Sequence, residues 1–187
     1  MKKRKKQILT FAFLIGFIAF WILIFSFVNP QEIVAKIGVT NGYIILFVLG
    51  TLGGASTFTG PSYYVAVTTL ALGGLNPFLL ATIGGVGVSI GDSIIFFLGL
   101  KAGKKAPEDF QKKFEKITKK LQNKPKYLVR LLLYLYVAFT PFPNEFATIP
   151  LGLVGYKPRA IICCLILGNI TNALVWIGLA QIGISWV

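Results

Sequence analysis

Residues 127–156, YLVRLLLYLYVAFTPFPNEFATIPLGLVGY, decide the fold. They run mostly apolar from 127 to 140, break at Pro141-Phe142-Pro143-Asn144-Glu145, and continue apolar from 146 to 155. Two prolines remove backbone donors and open the helix, freeing carbonyls that need protected polar surroundings. An earlier stretch has the same design: apolar residues 42–58, the break Thr59-Gly60-Pro61-Ser62, and a second apolar segment 63–73. That second segment falls far short of the ~20 residues a spanning helix needs, so each stretch reads as a re-entrant helical hairpin that returns to its own side.

One constant shift of 81 positions lays the two stretches over each other. Gly74-Leu75-Asn76-Pro77 falls on Gly155-Tyr156-Lys157-Pro158, Gly60-Pro61 on Pro141-Phe142, Ala66 on Ala147, and Gly87 on Gly168. The chain is therefore expected to be an internal repeat.

Working outward, each hairpin is followed by a span-length segment, residues 77–100 and 160–187, and the first is preceded by a polar stretch, 29–41. Residues 8–28 form a further uncharged, mostly apolar segment, long enough at 1.5 Å per residue to cross a ~30 Å hydrocarbon core. It follows Lys2-Lys3-Arg4-Lys5-Lys6 but is too long for a signal peptide and lacks a small-residue cleavage site before Asn29-Pro30, so it reads as an uncleaved anchor. Between the halves, residues 101–126 form a basic insert in which Phe110, Phe114, Ile117 and Leu121 make one apolar stripe. A helix over 107–123 would lie on the membrane surface or serve as a solvated amphipathic linker. The whole reads as one membrane domain, 1–187: anchor 8–28, first hairpin plus span 42–100, insert 101–126, and second hairpin plus span 127–187.

Composition agrees. Apolar residues make up 55% of the 187 positions and charged residues 13%, against roughly 25% charged in soluble domains. The net charge of +13 would suggest nucleic acid in a soluble chain, but the cations cluster beside apolar segments. With the N-terminus cytoplasmic, 18 of the 19 lysines and arginines lie inside and Lys36 alone outside, as the positive-inside rule requires. The hairpins then open in opposite directions, which makes the repeat inverted, as in many secondary transporters. Fully crossing hairpins would leave the parity unchanged. The expected fold is an all-α integral membrane protein: an inverted repeat of re-entrant hairpins plus spanning helices, in a prokaryotic cell membrane.

The chain contains no histidine, which removes Ser-His and Cys-His nucleophilic schemes and histidine metal sites. Cys163 and Cys164 are the only cysteines, so neither a disulfide framework nor a four-ligand zinc site is indicated. Gly84-Gly85-x-Gly87-x-x-x-Gly91 has no strand before it and no Lys-Ser/Thr ending, so it reads as a close helix-packing surface and not a nucleotide loop. No enzyme, cofactor, metal or nucleic-acid partner is expected.

Of six acids, only Asp92 and Glu145 sit in apolar sequence. An ionisable group at membrane depth costs about 3 kcal/mol on insertion scales and usually faces a cavity, a partner or a proton path. For Asp92 the alternative is a span-end acid paired with Lys101 or Arg130. Glu145, with Asn144 in the proline break, is the strongest candidate for function; a structural turn is the alternative. Around the outer break Thr57, Thr59 and Ser62 offer hydroxyls, while Asn169, Thr171 and Asn172 form a mid-depth polar patch that lines the same cavity or bonds between helices. The expected path comprises Asp92, Glu145, Asn144, Thr59, Ser62, Asn169 and Asn172, with Gly60, Pro61, Pro141 and Pro143 making the breaks and Lys101 and Arg130 attracting a headgroup.

This order, together with Gly91-Asp92-x-x-x-Phe96-x-x-Gly99 followed by Lys101 and Gly103, resembles the DedA family of VTT-domain, or SNARE-associated, membrane proteins. The similarity runs from about residue 30 to the C-terminus and includes Asn169 to Trp176. It implies two oppositely directed re-entrant hairpins and the scrambling or flipping of lipids, often polyprenyl-phosphate carriers, coupled to cation gradients. Members often carry acids in and before the first loop, where Gly53 to Ser62 has none, and arginines flanking the second loop's proline, where Ala138 and Asn144 stand. The usual tyrosine after Gly-Asp is Phe96. Of the family's positions, Asp92 transfers.

Three functions are then open: a lipid transporter, either a phospholipid scramblase or a polyprenyl-phosphate flippase, with protons as candidate coupling ions; a small-solute or ion secondary transporter; and a non-transporting scaffold that recruits partners or anionic lipid through its basic helix. The expected partners are membrane lipids and anionic headgroups, protons, and a second copy of the chain.

Overall fold

The computed structural model describes residues 30–105, 125–140 and 142–184, and among them all regular structure is helical. The anchor 8–28, the amphipathic stretch 107–123 and Pro141 lie outside the described residues.

The stretch read as polar, 29–41, contains a helix, α1 (Pro30–Ile37). Its signals are local: proline at the first helical position, Glu32 in the first turn and Lys36 in the last, each charge favourable to the helix dipole. Gly38, at φ 83°, ends it, and α2 (Val39–Ala55) leaves at 101° to α1.

α2 and α3 (Gly60–Leu72) flank the first break and pack on each other, as a hairpin would; α5 (Lys126–Phe139) and α6 (Glu145–Leu153) flank the second break, but α5 packs mainly on the last long helix and α6 on the first. None of these arms reaches 20 residues. The long helices α4 (Pro77–Lys105) and α7 (Pro158–Ile184) follow the hairpins, and each contains a segment long and apolar enough to cross a membrane. The α1–α2 pair qualifies as a third only if the bent pair counts as one span. α4 also continues past the expected end at residue 100 into the start of the basic insert.

The first break differs from expectation. It comprises Ser56 to Thr59, whereas Gly60 and Pro61 form the opening turn of α3. The first amides of a helix have no intrahelical partner in any case, so proline at the start costs no hydrogen bond. The second break lies one residue earlier than expected: α5 ends at Phe139, and Glu145 is the first residue of α6.

The shift of 81 positions recurs in the backbone. Gly74 (φ 95°) and Gly155 (φ 75°) both take the left-handed conformation that closes a helix. Leu75 N–H donates to Leu70 C=O at 3.1 Å and Gly74 N–H to Ala71 C=O at 3.2 Å; Tyr156 N–H donates to Leu151 C=O at 3.0 Å and Gly155 N–H to Gly152 C=O at 2.9 Å. The same helix-ending motif thus precedes Pro77 and Pro158, which open the two long helices.

Glycines hold the helices together. A Cβ on Gly50 would stand 2.8 Å from Gly84 O, one on Gly87 2.7 Å from Phe47 O, and those on Gly54 and Gly91 would strike backbone of α4 and α2 respectively. Gly99, Gly103 and Gly152 bring α4 against α6 in the same way, and Gly85 seats α4 on Ile170 of α7. The glycine series of α4 is therefore the packing surface expected for close helix contact in lipid.

Two apolar clusters result. Leu46, Tyr63, Val67 and Leu70 of the first hairpin pack with Leu80, Ala81 and Val88 of α4 and Ala173 and Ile177 of α7. Val129, Leu133, Val137 and Leu151 of the second pack with Phe96 of α4 and Ile161 and Leu165 of α7. α4 and α7 therefore run antiparallel. Outward faces carry Ile44, Val48, Ile94, Leu98, Leu132, Leu167 and Leu179, all exposed, a distribution that suits lipid and not water.

Candidate functional site at the junction of the two breaks

Between the apolar clusters, α4 and α7 each present polar residues near their midpoints: Ser89 and Asp92 on α4, Asn169 on α7, all buried. Asp92 is 1% exposed. Asn169 donates through Nδ2 to Asp92 Oδ2 at 2.8 Å and to Ser89 Oγ at 3.1 Å, and Ser89 in turn donates to Gly85 C=O at 2.7 Å. The second break enters this layer through Asn144, whose Nδ2 reaches Asp92 Oδ2 at 2.8 Å and Asn169 Oδ1 at 3.1 Å.

Among the described residues, then, hydrogen bonds to Asp92 arrive at Oδ2 alone, and no lysine or arginine pairs with it. The reading of Asp92 as a span-end partner of Lys101 or Arg130 is set aside. Lys101 is nine residues further along α4, about 13 Å of helix rise, and both cations are exposed.

Glu145, the next residue after Asn144, accepts a 2.8 Å hydrogen bond at Oε1 from the hydroxyl of Thr57 in the first break. The two breaks are thus joined side chain to side chain. Tyr64 of α3 lies within electrostatic reach of both Asp92 and Glu145, and its ring packs on Trp176 of α7 at 5.0 Å between centroids. Phe58 (94% exposed), Phe142 and Phe146 project outward beside the junction residues.

The opened carbonyls are largely accounted for. Asn172 donates to Ala138 C=O at 3.1 Å and Tyr136 OH to Pro143 C=O at 3.0 Å, so the proline break is stitched by side chains from α7 and α5. Asn172 therefore serves the inter-helix alternative. Thr59, expected on the path, turns its hydroxyl back to Leu52 C=O at 2.6 Å and Ser56 C=O at 3.1 Å, while Ser62 is exposed. Backbone amides at the breaks are engaged as well: Gly60 N–H with Ser56 C=O, Ser62 N–H with Thr59 C=O, Phe146 N–H with Pro143 C=O and Ala147 N–H with Asn144 C=O. These helix starts keep few donors for an external anion.

The structure thus brings together Asp92, Glu145, Asn144 and Asn169, and leaves Thr59, Ser62, Asn172, Lys101 and Arg130 outside that cluster. In the sequence, Thr57 stands among several hydroxyls near the first break; Ser89, three residues before Asp92, carries no signal beyond its place on the same helical face. No group of three or more metal-ligating side chains occurs among the described residues.

Antiparallel apolar helices around a buried polar layer, reached by a helix break, define a helical integral membrane protein. The family model of the VTT domain matches residues 60–181, well over half of the chain. The chain belongs to that family, the DedA or SNARE-associated membrane proteins. No curated protein and no solved structure gives a match.

Proposed function

We propose that this protein moves lipids across a bilayer, as a phospholipid scramblase or polyprenyl-phosphate flippase, through the junction of its two hairpins. The observation that carries the reading is a chain of contacts that links the two breaks to a buried acid: Thr57 of the first break bonds Glu145, and Asn144, the residue before Glu145, bonds the buried Asp92. Broken helices that meet in a polar layer between apolar helices suit a headgroup crossing while its acyl chains stay in lipid. The repeated helix-ending motifs and the antiparallel long helices support an inverted repeat of re-entrant hairpins; the cation distribution supports a cytoplasmic N-terminus and several passes through a prokaryotic cell membrane.

In this reading Asp92 and Glu145 exchange protons as the junction opens and closes, with Asn144, Asn169 and nearby hydroxyls lining the route. Lys101 and Arg130, both exposed, attract a phosphate-bearing headgroup at the inner surface. The chemistry lies in movement, with no bond made or broken by the protein.

Reconstitution into liposomes with acyl-labelled phospholipid tests the proposal. Transbilayer exchange well above that of empty vesicles is the expected result. Proton flux without lipid movement would instead identify an ion transporter, the reading that a carboxylate without a cationic partner also suits.

A further inference from the structure

We infer that Tyr63 is a positioning residue for the opening of the junction: its hydroxyl has no partner in this arrangement and gains one when α3 turns towards the two acids. This role rests on the lipid-transport reading above and names the part of the same site that moves.

Its ground is a buried polar atom left without a hydrogen bond. Tyr63 is 3% exposed, and among the described residues its hydroxyl is a buried side-chain atom with no hydrogen-bond partner. The ring lies where α3 meets the glycine seam of α2 and α4. A Cβ on Gly84 would stand 2.8 Å from the Tyr63 hydroxyl and 3.3 Å from Leu46 Cδ2, and one on Gly50 would stand 3.5 Å from the Tyr63 ring. The surroundings are apolar, with Leu46, Val67, Leu80 and Val88 in the same buried cluster. A hydroxyl held in such a place without a partner is unfavourable. Tyr63 therefore works against the arrangement that buries it.

Relief lies one residue away. Tyr64, the next residue of α3, is within electrostatic reach of both Asp92 and Glu145. Successive residues of a helix are about 100° apart around its axis. A turn of α3 about its own axis thus carries Tyr63 towards the place of Tyr64, and its hydroxyl towards two carboxylates, each able to accept several hydrogen bonds. The two tyrosine rings touch edge to face, with centroids 5.3 Å apart, so such a turn moves them together.

The packing of α3 permits this. Gly54 and Gly152 key α2 and α6 to α4 backbone against backbone, whereas α4 meets α3 at Gly84 through the Tyr63 side chain. The Thr68 hydroxyl bonds within α3, to Tyr64 C=O at 2.8 Å and Val65 C=O at 3.1 Å. α3 also starts directly after the break that carries Thr57, so its turning acts on the tie between Thr57 and Glu145.

The test compares the full-length protein with Tyr63→Phe, which keeps the ring and removes the hydroxyl. Three quantities are measured: the thermal melt in detergent, amide hydrogen exchange of α3 against that of α7, and exchange of acyl-labelled phospholipid in liposomes. Tyr63→Phe should melt higher, exchange its α3 amides at least about fivefold more slowly with α7 little changed, and move lipid at least about fivefold more slowly. An unchanged or lower melting temperature would show that the hydroxyl is already partnered, and overturns the inference. A higher melt with equal slowing in α3 and α7, or with lipid moved at the wild-type rate, overturns it too, because the hydroxyl would then take no part in the motion. Selective slowing of α3 in a protein whose wild type moves no lipid overturns the transport reading and upholds the motion of α3.

Discussion

Thr57 and Glu145, 88 positions apart, are joined by a 2.8 Å hydrogen bond that ties the first helix break to the start of α6, beside the second. Thr57 is exposed, and the neighbouring Phe58 is almost fully so, which places this tie at an accessible edge of the buried layer built on Asp92. A headgroup that enters between the breaks has to displace it. On the lipid-transport proposal, this is the bond that opening of the junction breaks first.

Thr57→Val keeps the branched side chain and removes the donor. A hydrogen bond of this kind contributes about 1 kcal/mol, so lipid exchange in liposomes should rise by roughly fivefold if opening limits the rate, with little change in melting temperature. A slower rate would show that the bond belongs to the productive state.

Asn169→Ala removes one of the two donors to a buried carboxylate and the donor to Ser89 Oγ, which keeps its own bond to Gly85 C=O. Unfolding in detergent should show a loss of about 2–3 kcal/mol. Paired with Asp92→Asn, the loss should be clearly less than additive, because the charge that needed the donor is gone. Additive losses would show that the two residues act independently.

Two helical glycines, Gly54 of α2 and Gly178 of α7, should respond in opposite ways. A Cβ on Gly54 would strike Val88 backbone, so Gly54→Ala should force α2 from α4 and cost about 1–3 kcal/mol. Nothing lies within 4 Å of a Cβ on Gly178, so Gly178→Ala should stabilise α7 by about 0.5–1 kcal/mol. Melts of both variants in the same detergent give the comparison.

Much of this architecture was legible in the chain because its signals are local. Prolines 141 and 143 mark a break wherever they fall in an apolar run, the glycines of α4 announce a close neighbour, and the shift of 81 positions predicts helix endings that recur hydrogen bond for hydrogen bond. Asp92 and Glu145 stood out because charge at membrane depth is costly. What sequence could not supply was pairing. Nothing in the spacing shows that Asn144 and Asn169 both donate to Asp92, or selects Thr57 over Thr59 as the partner of Glu145. Those choices depend on how far α2 and α6 approach α4, which backbone contacts at Gly54 and Gly152 set in three dimensions. The first break also lay earlier than expected, because Gly60-Pro61 starts a helix instead of interrupting one. α1 is short and polar, so only its end signals, Pro30, Glu32 and Lys36, distinguish it from a connecting loop.

The central claim is that the two acids at the junction take part in moving lipid. The most direct measurement is the rate of acyl-labelled phospholipid exchange in liposomes containing equal amounts of folded wild-type protein and of the Asp92→Asn, Glu145→Gln double variant. The account predicts exchange by the wild type and its loss, to near the rate of protein-free vesicles, in the variant; exchange at the wild-type rate in both would contradict it.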